Sequence, residues 1–172
     1  MKHQTCIALA FVLATVPAVT QAGGSLSGTV DGTAQEWHLH TADGLPSARW
    51  EDENGSVMVR IRAFPDPGGP ADDLPEGTLE IDLLCMGGRQ VVRYLHVILH
   101  GPPGTLHAND AQNEIGESRF VREELRRDGD RLHLSGRLEA ELFAIPRPGS
   151  TRFDTSDRRN LTADIDLTLE PR

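Results

Sequence analysis

Two stretches near the end of the chain alternate strictly between apolar and polar residues. In residues 131–145, RLHLSGRLEAELFAI, the apolar or small side consists of Leu132, Leu134, Gly136, Leu138, Ala140 and Leu142. In residues 160–170, NLTADIDLTLE, the apolar side consists of Leu161, Ala163, Ile165, Leu167 and Leu169. A period of two with one polar face predicts strands of an antiparallel sheet that cover a core on one side and meet water on the other.

The same alternation recurs upstream. It covers residues 25–31, 34–40, 56–64 and 78–86, and residues 91–100 are apolar on both faces, which indicates a central strand. Three dipeptides are typical of two-residue hairpin turns, namely Asp31-Gly32, Asn54-Gly55 and Asp128-Gly129. We interpret residues 51–55 as a turn and residues 146–159 as a polar connection. Trp37 is predicted to anchor the core beneath the first hairpin.

Residues 117–127 fit neither the helical nor the strand period well. Ser118 could cap a helix that buries Phe120, Val121 and Leu125. The Asp128-Gly129 dipeptide that follows favours a hairpin instead, because it leads directly into the strongly alternating stretch from residue 131. We therefore predict a strand here, with the helix as the alternative.

About eight short strands joined by turns and loops predict one all-β domain. We predict an antiparallel β-sandwich, with a flattened β-barrel as the alternative. Two segments are predicted as long surface loops, residues 65–77 (PDPGGPADDLPEG) and residues 101–116. The prolines and glycines of the first segment cannot propagate a helix or a central strand.

The first 22 residues have the three parts of a secretory signal. Lys2 precedes an apolar run over residues 6–19, and small residues follow at positions 20–22. The run is too short to span a bilayer. We therefore expect residues 1–22 to be a signal peptide and residues 23–172 to be a single domain, periplasmic or secreted, with no integral membrane segment after processing.

The chain is acidic, with 26 acidic against 17 basic residues and a formal net charge of −9. Such a surface repels phosphate, so nucleic acid is not an expected partner. Of the two cysteines, Cys6 lies in the predicted signal, which leaves Cys85 without an intramolecular partner. Cys85 continues the apolar alternation of residues 79–83, which predicts a buried thiol. An intermolecular bridge or a reactive nucleophile is the alternative.

Four histidines are candidate metal ligands. His38 and His40 are two residues apart on one predicted strand, and His96 and His100 are four apart on another. Both spacings place a pair on one face of a strand, and imidazoles suit zinc or copper. The site requires the two strands to be neighbours. A spacing of four spans about 13 Å, so His96 and His100 can share one ion only across a bulge. Solvated histidines that bind nothing are the alternative.

No sequence motif assigns a catalytic residue or a cofactor-binding residue. The chain contains neither a G-x-S-x-G turn nor an H-E-x-x-H helix. Residues 101–105, GPPGT, resemble the opening of a nucleotide-binding phosphate loop, yet Leu106 and His107 occupy the positions where glycine and lysine are needed.

These observations favour an exported, noncatalytic β-sandwich. We expect it to bind another protein or a small ligand through its two long loops, because long structureless loops in a compact domain are usually functional or disordered. One alternative is a periplasmic metal-binding protein that uses the strand histidines for zinc or copper. A second alternative is a hydrolase with an unrecognised site.

Processing is directly testable. When the chain is exported into a bacterial periplasm, we expect its mass to be that of residues 23–172, because cleavage follows the small residues at positions 20–22. Intact-mass spectrometry of the periplasmic fraction measures this. A Leu13→Arg control, which breaks the apolar run, should remain in the cytoplasm at full length. A full-length mass in the periplasm would contradict the predicted signal peptide.

Overall fold

The computed structural model describes residues 25–42, 45–69, 74–86, 91–110, 115–146 and 152–172. The predicted signal peptide, residues 1–22, lies outside these ranges and stays a prediction. The described residues form twelve strands in a ten-stranded and a two-stranded sheet. Within them we find no helix with the length and apolar character that crossing a membrane requires.

The strands are short in the first half of the chain and long at its end. In chain order they are β1 Ser25–Val30, β2 Thr33–His38, β3 Thr41–Ala42, β4 Leu45–Pro46, β5 Ala48–Glu53, β6 Ser56–Ala63, β7 Leu79–Met86, β8 Val91–His100, β9 Leu106–Ala108, β10 Ser118–Asp128, β11 Arg131–Ile145 and β12 Asp154–Pro171.

The large sheet closes partly into a ring. Its strand order is β10-β11-β9-β8-β7-β6-β5-β12-β1-β2, and β11 also pairs with β12. The pairings are antiparallel except for a short parallel contact between β12 and β5. The all-β prediction is confirmed, and the ring is consistent with a β-sandwich or a flattened barrel. The parallel contact is a difference from the predicted antiparallel arrangement.

The alternation of β11 and β12 is confirmed by burial. Every residue on the predicted apolar faces of both strands is buried, whereas the intervening positions are half-buried or exposed. The two faces pack with the inward residues of β5 to β8 in one apolar cluster, which also holds Trp37 at 1% exposure. Trp37 is thus a core residue, as predicted.

A bulge explains why residues 117–127 fit no single period. The segment is strand β10, as predicted, and its register with β11 shifts between Arg122 and Glu124. Phe120 faces the core before the shift and Leu125 packs against it afterwards, while Val121 is 47% exposed. The extra residue changes which alternate positions face the core, so neither the helical nor the strand period matches the whole segment.

A second bulge, in the pairing of β7 with β8, changes which side chains of β8 face the core, so the predicted faces of this strand are wrong at its beginning. Simple alternation places Arg93 on the same face as the buried Leu95. The register with β7 instead shifts next to Cys85, so that Val92 packs against the core and Arg93 is exposed. β8 is central, as predicted, with β7 and β9 on its two edges, but its second face is only half-buried.

The first two hairpins turn where the sequence predicts. Asp31 and Gly32, like Asn54 and Gly55, all have positive φ, as a two-residue type I′ turn requires. The third turn differs, because Asp128 pairs with Arg131 and the turn residues are therefore 129 and 130.

Three further predictions differ from the structure. The predicted turn at residues 51–55 is mostly strand β5, and β12 begins six residues before position 160. The predicted long loop at residues 101–116 contains strand β9, which pairs with β8 and β11. Polar residues at edges and barrel rims form strands without burying a face, so local alternation does not reveal them.

Asn109 attaches the second long loop to the core, and its exposure is 0%. Its side-chain oxygen accepts a hydrogen bond from the Val97 amide at 2.6 Å. Its side-chain nitrogen donates to the Leu95 carbonyl at 2.9 Å and to the Ser118 hydroxyl at 2.8 Å. Because β9 ends at Ala108, this side chain takes the place of a neighbouring strand for two backbone groups of β8.

We expect Asn109→Ala to lower the free energy of unfolding by about 3 kcal/mol, because it leaves two buried backbone groups without partners. Chemical denaturation measures the loss. Ser118→Ala is the matched control, since it removes a single partner of the same amide and should cost about 1 kcal/mol. Equal losses in the two variants would show that Asn109 does not serve as a substitute strand.

Candidate functional site

The two long loops meet at one end of the ring, beneath the β1–β2 hairpin. The Trp37 indole donates a hydrogen bond to the Gly77 carbonyl at 2.8 Å. The Gly77 amide donates to the His100 carbonyl at 2.7 Å, and the His100 amide donates to the Thr78 carbonyl at 2.9 Å. The first hairpin, the end of loop 65–77 and the last residue of β8, from which loop 101–116 leaves, are therefore joined through consecutive hydrogen bonds.

A cleft of about 340 Å³ lies at this junction, and we call it the loop cleft. Its apolar walls come from β1 and β2, the two loops and the end of β8, and they include Val30, Trp37, Pro65, Leu99 and Pro102. Its polar lining includes Gln35, Glu76, His100, His107 and Arg159. An apolar concavity with a few polar groups is the usual form of a small-ligand site.

His107 is the most deeply buried titratable residue of the loop cleft, at 3% exposure. It lies on β9 directly opposite Leu99, and so shares the inward face of the ring. Its Nε2 lies 3.1 Å from a carboxylate oxygen of Asp157 on β12. The carboxylate orients the imidazole and satisfies a polar atom that burial would otherwise penalise.

Asp31 attaches the tip of the first hairpin to β12. One of its carboxylate oxygens accepts the Asn160 amide at 2.8 Å, and the other accepts the Arg159 guanidinium at 2.9 Å. The backbone of Asp31 also donates to the Asn160 carbonyl. The hydrogen bond from the Asn160 amide has the largest effect and the one from Arg159 the next largest, and together they hold the pKa of Asp31 below its ordinary value.

Glu80 holds two basic side chains on the outer face beside the loop cleft. It lies 2.8 Å from the His100 Nε2 and 3.3 Å from the Arg62 guanidinium. The hydrogen bond from His100, assisted by the charge of Arg62, lowers the pKa of Glu80 despite its partial burial. His100 is therefore matched with a carboxylate, as His107 is.

The four histidines predicted as zinc or copper ligands do not lie on neighbouring strands. His38 is the last residue of β2 and His40 follows it, whereas His96 and His100 lie on β8, and β2 and β8 are not adjacent in the sheet. The His40 imidazole is 3.1 Å from the Asp66 carbonyl, and His96 lies 6.2 Å from Tyr94 between ring centroids.

The described residues contain no group of three or more His, Cys, Asp or Glu side chains arranged to hold a metal ion. The structure thus brings the two histidine pairs together neither on paired strands nor around a common point. Zinc or copper binding stays a prediction that rests on the sequence spacing alone.

Cys85 is buried at 1% exposure, as its place in the alternation predicts. Burial raises the pKa of its thiol, and the nearby Arg122 guanidinium opposes this effect. A neutral buried thiol is a poor nucleophile. Cys85 also lies at the end of β7, and it does not line the loop cleft.

A larger depression of about 780 Å³ lies across β10, β11 and β12. Two of its carboxylates are paired with arginines, since Glu139 lies 2.6 Å from Arg119 and Glu141 lies 2.9 Å from Arg158, which is outside the depression. The depression spans three successive positions on three neighbouring strands, so it is a curved part of the sheet surface. The loop cleft is the better candidate, because three separate chain segments and a buried histidine converge there.

Sequence reasoning identified the two loops but missed the residues that connect them. His107 entered only as a mismatch to a phosphate loop, and Asp157 and Arg159 fell in a predicted polar connection. β9 has three residues, too few for a period to be detected. The pairing of His107 with Asp157 joins residues 50 positions apart, which no local pattern reveals.

Comparisons with known protein families, curated proteins and solved structures find no match to this chain. The loop cleft and the groups that line it are therefore the basis for the functional proposal.

The attachment formed by Asp31 has a testable pH dependence. Because the pKa of Asp31 is lowered by folding, its stabilisation is present above the ordinary pKa of 3.8 and is lost as pH falls through the lower folded-state pKa. We expect Asp31→Asn to lower the free energy of unfolding by about 0.5 to 1 kcal/mol at pH 7, since the pair is partly exposed. Asparagine keeps the positive φ of the turn.

Denaturation of the wild type and the variant between pH 7 and pH 2 measures the effect, and the two curves should converge at the acid end. Asp130→Asn, the same change in the turn between β10 and β11, is the control and should have no comparable effect. A constant difference across the whole pH range would show that the Asp31 charge is not responsible.

Proposed function

We propose that this protein is an exported, noncatalytic binding protein that holds a small ligand in the loop cleft. The observation that supports the proposal is the convergence of both long loops on one partly apolar cleft. Trp37 bonds to Gly77, and Gly77 bonds in turn to His100. Export rests on the signal-like pattern of residues 1–22, and a periplasmic or secreted location belongs to the proposal on that basis.

The dimensions of the cleft favour a small molecule over a protein surface. Its volume of about 340 Å³ falls in the range of small-ligand sites, which runs from about 300 to 1,000 Å³. The hydrogen bonds of Trp37 and the hairpin attachment by Asp31 hold the walls in place before any ligand enters. A preformed site loses little conformational entropy on binding.

The histidines of the cleft support binding more than catalysis. His100 and His107 each have Nε2 at hydrogen-bonding distance from a carboxylate, Glu80 and Asp157 respectively. A hydrolase needs an activated nucleophile or water beside such a base. The hydrogen bonds of these imidazoles in the described part of the chain are to carboxylates, an arrangement that orients the cleft walls.

Blocking the cleft tests the proposal. We expect the wild type to bind the neutral fluorescent probe N-phenyl-1-naphthylamine with micromolar affinity, because the probe matches an apolar cleft of this size. Gln35→Trp places a large side chain at the cleft and should weaken binding at least about tenfold, the loss that 1.4 kcal/mol of lost contact would give. Fluorescence titration measures both dissociation constants.

Ala34→Trp is the matched control. Ala34 precedes Gln35 on β2, is also exposed and faces the opposite side of the strand. This variant should bind the probe as the wild type does. If the wild type fails to bind, or if both tryptophan variants lose binding equally, the loop cleft is not the ligand site.

A further inference from the structure

The loop cleft has an imbalance of charge that bears on the chemistry of its ligand. Four carboxylates lie in or beside it, and they belong to Asp31, Glu76, Glu80 and Asp157. Two guanidinium groups are paired with them, Arg159 with Asp31 and Arg62 with Glu80. Two of the carboxylates contact histidines, Glu80 with His100 and Asp157 with His107. Among the described residues, therefore, only the Glu76 carboxylate of the four has no basic side chain at contact distance.

Each basic group is already matched with a carboxylate. Arg159 lies 2.9 Å from Asp31, and the His107 Nε2 lies 3.1 Å from Asp157. The hydrogen bond to Asp31 raises the pKa of Arg159, and the charges of Asp157 and Glu76 add to this effect. A ligand anion would therefore have to compete with carboxylates that are already in place.

Glu76 differs from the other three carboxylates. It lines the cleft and is exposed, and in the described part of the chain its carboxylate has no ion pair at contact distance. It lies at the end of loop 65–77, next to Gly77, whose position is held by the Trp37 indole. The residue is therefore an available acceptor at the edge of an apolar cleft.

We propose that the loop cleft binds small organic cations, specifically an ammonium group attached to an apolar body. The apolar body contacts the walls formed by Val30, Leu99 and Pro102, and the ammonium group faces the Glu76 carboxylate. This inference rests on the proposed function, because it names the class of ligand for the same cleft. The negative charge of the whole chain, −9, also favours the approach of a cation.

Three probes of matched size test the charge preference, namely n-hexylammonium, 1-hexanol and hexanoate. Ligand-detected and protein-detected NMR titrations of the intact mature protein at pH 7.5 and low salt give the three dissociation constants. We expect hexylammonium to bind at least about fivefold more tightly than hexanol, and hexanoate to bind most weakly, with the differences shrinking at high salt.

Two charge-matched variants locate the cation. Glu76→Gln should weaken hexylammonium binding two- to fivefold and leave hexanol unchanged, as expected for an exposed ion pair. Glu36→Gln removes the same charge from β2 at an exposed position that does not line the cleft, and it should leave both affinities unchanged. Gln35→Trp should abolish binding of hexylammonium, and Ala34→Trp should not.

The outcomes separate this inference from the proposed function. If hexanoate or hexanol binds as tightly as hexylammonium, the preference for cations is overturned while the cleft remains a ligand site. Equal effects of Glu76→Gln and Glu36→Gln on the hexylammonium affinity would show that binding depends only on the net charge of the protein. This result would also overturn the inference. Failure of the three probes together with N-phenyl-1-naphthylamine would overturn the proposed function itself.

Discussion

The pairing of β11 with β12 is the interaction on which the rest of the sheet depends. These are the two longest strands, and their register runs from Leu132 opposite Leu169 to Phe143 opposite Arg158. β11 uses its second edge for β10 and β9, and β12 uses its second edge for β1 and β5. On its second edge, each long strand thus pairs with two different strands, one after the other along its length. This arrangement lets the sheet curve back on itself and close partly into a ring. Closure reduces the number of unpaired edges that a sheet must protect.

Partial closure also determines where the loop cleft lies. β1 occupies the part of the β12 edge near residues 161–164, so the first hairpin is placed over one end of the ring. The loops that leave β6 and β8 emerge at the same end, and Trp37 bonds to one of them. Asn109 holds the second loop against β8 through its hydrogen bonds to the backbone of Val97 and Leu95. The cleft is therefore a consequence of three segments meeting at one end of the ring.

The electrostatics of this end follow from the same geometry. β12 begins with a polar run, and that run brings Asp157 to His107 and Arg159 to Asp31. Carboxylates orient the basic side chains, and the paired groups satisfy polar atoms next to the core. The stabilising effect of each exposed pair is small. In the proposed site, these pairs connect the walls of the loop cleft to β12 and to β7.

The sequence by itself determined the fold class, the buried faces of β11 and β12, the positions of the first two hairpins and the loop at residues 65–77, whereas the second predicted loop, residues 101–116, contains strand β9. These features depend on a period of two and on turn chemistry, both of which are local. Only the tertiary structure decided the ring closure, the phase shifts at the bulges of β8 and β10, and the arrangement of the histidines. His107 illustrates the reason, because its role depends on Asp157, a residue 50 positions away on a strand whose polar beginning resembles a loop. Local alternation carries information about which face is buried, whereas a site is formed by strand neighbours that only the complete sheet specifies.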